Sequence, residues 1–128
     1  MLQFIKKYRI SLLTIIAILF LSFFKPPKSS MSSISYFDKI VHYTLYLLFC
    51  SIIWIEYLRS HSTINRTRVV LGAFFAPIIF SASIELGQEY LTTYRGGEWL
   101  DLLANSLGST TAFLVFGGIL LYRVRNKR

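Results

Sequence analysis

At 128 residues, 54% hydrophobic and 16% charged, the chain has room for one domain and the composition of a membrane protein rather than a soluble globule. Its net charge of +8 does not point to nucleic acid: the Lys and Arg residues fall between apolar blocks and build no basic face interleaved with aromatics. The lone cysteine, Cys50, lies inside an apolar block, so an intrachain disulfide and a thiolate pair for zinc are both excluded.

The first apolar block, residues 10–24, follows Lys6, Lys7 and Arg9. At about 1.5 Å per residue it covers only about 22 Å, and Tyr8 with the stem of Arg9 lengthens it to a first span near 8–25. A basic start before a short apolar run also resembles a signal peptide. Phe23-Phe24-Lys25-Pro26-Pro27 is a poor cleavage site, so a retained helix ended by two prolines is expected. After a Ser-rich loop, the second span is read at 38–58, with Asp38 in the first turn, where the helix dipole favours a carboxylate. The third, 69–91, holds Pro77 at its middle, where a kink is expected, and Glu85, Gln88 and Glu89 towards its end. A turn with Gly96-Gly97 leads to the fourth, 101–122, opened by Asp101 and closed by Arg123, Arg125, Lys127 and Arg128. The expected fold is therefore an all-α membrane protein: one domain over 1–128, a bundle of four transmembrane helices. Continuous apolar runs without period-two alternation exclude a β-barrel.

In that arrangement ten basic residues share the side of the termini and four, Lys25, Lys28, Lys39 and Arg95, the other. The positive-inside rule then makes both termini cytoplasmic. The same topology carries three polar clusters to the extracytoplasmic end: Asp38, Lys39 and His42; Glu85, Gln88 and Glu89; and Arg95 with Asp101 and Asn105. Ionisable groups at membrane depth are costly unless paired or wetted, which makes these clusters the candidate site.

Asp38 and His42 are four residues apart and share a face continued by Tyr46. Histidine suits proton exchange near neutral pH; the competing reading is a His bonded across the bundle beside an Asp that caps a helix. Glu85, Gln88 and Glu89 form a second stripe, and Arg95, six residues beyond Glu89, is suited to a carboxylate or a phosphate. The alternative there is a structural Glu–Arg pair. Asn105 shares a face with the small residues Gly108, Ser109 and Ala112, the pattern of a buried interhelical hydrogen bond at a close helix approach. Glu56, three residues before Arg59, reads as half of a local interfacial pair. His42, Glu85 and Asp101 could supply N/O ligands. With one deep His, no thiolate pair and no H-E-x-x-H spacing, no metal or other cofactor is expected. No G-x-S-x-G elbow marks a serine nucleophile.

These motifs in this order resemble the VanZ-like family of small bacterial membrane proteins. The resemblance is carried by Phe37-Asp38-Lys39-Ile40-Val41-His42 with Tyr46, by Glu85-Leu86-Gly87-Gln88, and by Arg95 with Asp101 through Asn105 to Gly108. It departs at Ala112, where the family often has a second glycine; the residue remains small. The resemblance implies a multi-pass protein of the cell inner membrane, and the family's founding member is associated with low-level resistance to the glycopeptide teicoplanin.

The leading expectation is a site at the extracytoplasmic face that binds a lipid-linked or anionic envelope component. In it His42, Glu85 and Asp101 form the ionisable core, Arg95 grips the ligand, and Asp38, Gln88 and Asn105 orient it. The rival expectations are an acid–base enzyme acting on a lipid-linked substrate through His42 with Glu85 or Asp101, and a structural subunit in which these groups only join helices. Proton conduction is disfavoured, because the acids cluster at one face with apolar sequence below them. The partners implied are membrane lipids and an envelope component, with no nucleic acid.

Overall fold

The computed structural model describes residues 1–23, 37–92 and 99–126, and every regular element among them is helical. In order these are α1 (Leu2–Lys7), α2 (Arg9–Phe23), α3 (Phe37–Ser60), α4 (Arg66–Val70), a π-helical turn (Leu71–Phe75), α5 (Ala76–Leu91) and α6 (Trp99–Asn126). Three helical segments are long and apolar enough to cross a membrane: Asp38–Ser60, Arg66–Leu91 and Trp99–Asn126. Arg9–Phe23 is apolar but shorter, so the expected first span is the exception. The chain breaks at Tyr8 (φ −118°, ψ 29°), which separates α1 from α2. The second and fourth spans run past their expected ends, with Arg59 in the last turn of α3 and Arg123 and Arg125 in that of α6. Cations there complement the negative end of the helix dipole, which lets the helices continue beyond the apolar run.

Around Pro77 the expected irregularity takes a specific form. Proline has no N–H and its ring collides with the carbonyl four residues back. Over Leu71–Phe75 the helix widens, and the Ala76 N–H bonds to the Leu71 carbonyl five residues earlier. This widening suits the buried positions, since Val69, Ala73, Pro77 and Ser81 recur every four residues. At 3.6 residues per turn, a spacing of four drifts by roughly 40° at each step. One wider turn offsets part of that drift, so α5 goes on to bury Ser81, Ile84, Glu85 and Gln88 against its neighbours.

The most extensive interface joins α3 to α6, and the two run parallel: His42 meets Asn105, Cys50 meets Ser109, and Trp54 stacks on Phe116 at 6.1 Å. α5 runs against both, with Phe80 beside Phe49 and Ser81 beside Asn105. α2 packs on α3 and α5, its start at Glu56 and its end at Gln88. At the α3–α6 crossing, a Cβ on Gly108 would lie 2.9 Å from the Leu47 amide nitrogen and nearer still to the Tyr43 carbonyl oxygen. The backbones meet where only glycine fits.

Away from these seams the surface is apolar, with Leu13, Phe20, Ile79, Leu103 and Leu114 all exposed. A water-soluble monomer does not tolerate so continuous an apolar exterior. Hydroxyls within the spans are returned to their own helix, as Ser51 to the Leu47 carbonyl, Ser83 to Ile79 and Ser106 to Leu102, which satisfies them without solvent.

Glu56 departs from expectation. Its carboxylate receives the Ile10 amide at 2.9 Å, the Ser11 amide at 3.1 Å and the Ser11 hydroxyl at 2.6 Å. It thus caps the amino end of α2 in place of the expected pairing with Arg59. The orphan amides and positive dipole of a helix start are a buried partner for a buried carboxylate, whereas Arg59 is exposed.

Candidate functional site

Because α3 and α6 run parallel and α5 runs against them, the starts of α3 and α6 meet the end of α5. Lys39 and His42 come from the first turns of α3, Asp101 and Asn105 from those of α6, and Ser81 and Glu85 from α5. The Lys39 ammonium donates to Asp38 Oδ2 and to Asp101 Oδ1, each at 2.6 Å. Asp101 divides its oxygens: Oδ2 faces His42 Nε2 at 3.5 Å. The other imidazole nitrogen, Nδ1, lies 3.1 Å from Asn105 Oδ1.

Asn105 sets the protonation pattern of that imidazole. Its amide nitrogen donates to Ser81 Oγ at 2.7 Å, which turns its carbonyl oxygen towards His42. A carbonyl only accepts, so Nδ1 carries a proton and donates. Nε2 is left facing Asp101. One donor atom each from His42, Glu85 and Asp101 lies within 4.8 Å of the others. Glu85 and Asp101 are 7% and 8% exposed, while the His42 side chain is 25% exposed, so the cluster is sheltered yet reachable.

Burial makes this arrangement consequential. Beneath the cluster lie Tyr46, at 2% exposure, and Ser109 and Cys50, both fully enclosed. Charge in such surroundings interacts far more strongly than in water. Asp38, Glu85 and Asp101 gather here with the Lys39 ammonium and the His42 imidazole, and Glu89 stands exposed one turn further along α5. The set can exchange a proton, hold a cation, or present Lys39 and His42 to a ligand.

The other expected site residues are placed differently. Gln88 donates its amide at 2.8 Å to the Ser22 carbonyl, tying α5 to the end of α2. Asp38 is the most solvent-open member, its side chain 57% exposed. Arg95 lies outside the described residues. Two further residues take part: Lys39, a member of the sequence cluster without a role of its own, and Ser81, which the sequence does not single out. Lys39 stands beside Asp38 in the motif but is the residue that joins α3 to α6. Ser81 is one turn before Glu85 on the same face, and that spacing was the available signal.

No protein-family model matches this sequence, and no curated protein or solved structure matches it either.

Proposed function

We propose that the chain is a VanZ-like multi-pass protein of the bacterial inner membrane that binds a lipid-linked, anionic envelope component at its extracytoplasmic end. The topology proposed has four crossings with both termini cytoplasmic, α2 being the short one. Support for it comes from the ten-to-four distribution of basic residues and from the alternating directions of α2, α3, α5 and α6. The observation that carries the binding reading is the gathering of Lys39, His42, Glu85 and Asp101 from three helices at one sheltered but reachable end. In this reading Lys39, with Arg95 from the sequence between α5 and α6, supplies the cations that an anionic headgroup requires.

The test replaces His42, Glu85, Arg95 and Asp101 one at a time, checks membrane abundance, and then follows envelope-lipid composition and teicoplanin susceptibility. Loss of phenotype at normal abundance is expected, with Arg95→Ala the most severe. Normal phenotype in all four variants would overturn the site. A reporter fused after Arg128 checks the orientation, and an extracytoplasmic signal there would reverse it.

The orientation of His42 favours one second reading, an acid–base reaction on the same envelope component. Asn105 holds Nδ1, leaving Nε2 for proton transfer beside Asp101. Under that reading His42→Ala, rather than Arg95→Ala, is the most damaging change.

A further inference from the structure

We infer that His42, Glu85 and Asp101 together bind one first-row divalent cation, of the Zn2+ or Mn2+ class, through His42 Nε2 and one oxygen from each carboxylate. The inference rests on the geometry of the three helices alone, and it does not depend on which envelope component is bound or on which leaflet the site faces.

The first argument is a distance. A neutral imidazole presents a lone pair at Nε2 once Nδ1 donates to Asn105, and here it faces Asp101 Oδ2 at 3.5 Å. That separation is beyond a strong hydrogen bond. It matches the edge of a coordination tetrahedron, about 3.4 Å for metal–ligand bonds of about 2.1 Å. One candidate ligand atom from each of His42, Glu85 and Asp101 lies within 4.8 Å of the others, so a contraction of the longest separation towards that edge is the movement an ion requires.

The second argument is the donor set. One imidazole nitrogen with two carboxylate oxygens suits the borderline Zn2+ and the harder Mn2+, and the absence of thiolates disfavours soft cations. Three protein ligands leave further positions open to water or to an oxygen of a ligand.

The third argument is the support around the ligands. Histidine ligands characteristically give their second ring N–H to a carbonyl or carboxylate that fixes the ring and its tautomer. Asn105 does this for His42 and is itself fixed by Ser81. Lys39 occupies the remaining oxygen of Asp101, which leaves Oδ2 as the single donor from that carboxylate. A site that served only to join helices has no need for Nε2 to be kept free of a carbonyl acceptor.

The experiment uses the full-length chain in detergent, carried on a tag without histidine and stripped with chelator. It is then titrated separately with Zn2+ and Mn2+, and bound metal is counted after gel filtration. About one equivalent per chain is expected. His42→Ala and Asp101→Asn should lose it, and Asn105→Ala should weaken it by roughly 10- to 100-fold. His61→Ala and Cys50→Ser should retain it. Binding that persists in the His42→Ala, Asp101→Asn double variant overturns the inference, as does wild-type binding no greater than that variant's. One readout needs no variant: Mn2+ bound to the wild-type chain should show magnetic coupling to a histidine nitrogen, and its absence also overturns the site. The envelope-lipid phenotype is read separately, so failure of the metal site and failure of the binding proposal are distinguishable.

Discussion

Gly108→Ala tests the α3–α6 seam on which the site is built. The added methyl carbon would stand 2.9 Å from the Leu47 nitrogen and closer still to the Tyr43 oxygen, whereas ordinary contact begins at 3.4 Å. Both obstructing atoms belong to the α3 backbone, so no side chain can rotate away; the Leu47 contact alone requires the helices to separate by about half an ångström, and the Tyr43 contact requires more. Overpacking of this kind costs ~1–3 kcal/mol. The same separation strains the flanking links His42–Asn105, Cys50–Ser109 and Tyr43–Thr111, and interhelical hydrogen bonds in membranes average ~0.6 kcal/mol. Overpacking alone then gives roughly a 5- to 150-fold shift in the unfolding equilibrium, and loss of any of the three links adds to it. The assay is unfolding by dodecyl sulfate in mixed micelles, read from the fluorescence of Trp54, which is 1% exposed. Gly117→Ala is the control, because a Cβ there meets nothing within 4 Å. It should be neutral or stabilising by up to ~1 kcal/mol through helix propensity. If Gly108→Ala unfolds together with the wild type, the close approach of α3 and α6 is refuted.

Glu56→Ala should cost about 1–3 kcal/mol, because it strips one acceptor from two amides and a hydroxyl at the start of α2. Glu56→Gln should recover part of that loss, and accelerated proteolysis or amide exchange confined to residues 2–15 is the readout; equal protection in all three proteins would contradict the cap. Cys50 is fully enclosed and bonded to Ser109. A membrane-permeant maleimide should therefore label it at least 10-fold faster in Gly108→Ala than in the wild type, since labelling needs the seam to open. Fast labelling of the wild type would show that the seam is open without the substitution.

What the sequence made legible was what depends on period and order. Apolar runs located the long helices, Pro77 marked the irregular turn, and the topology carried His42, Glu85 and Asp101 to one end of the molecule. It could not reveal which atoms meet. Two carboxylates of similar appearance, Glu56 and Glu85, have different fates because one faces the start of α2 and the other faces α3 and α6. Spacing along a single helix is blind to that difference, and so Glu56 was assigned to nearby Arg59. Gln88 shows the same limit: it shares a stripe with Glu85, but its amide reaches across to Ser22. Nor does composition forecast a π-helical turn. Proline predicts that a bond will be lost, while the packing of Val69, Ala73 and Ser81 decides how the helix recovers.

The Glu56 cap also bears on the timing of synthesis. The carboxylate that closes the start of α2 is made 45 residues after Ser11, and α3 must be nearly complete before it arrives. Until then the Ile10 and Ser11 amides lack this carboxylate and rely on other acceptors. Arrival of Glu56 supplies a carboxylate for both amides and the Ser11 hydroxyl and fastens the amino end of α2 to the far end of α3. The packing of α2 thus cannot be completed before its neighbour is made, because the residue that closes its start belongs to that neighbour.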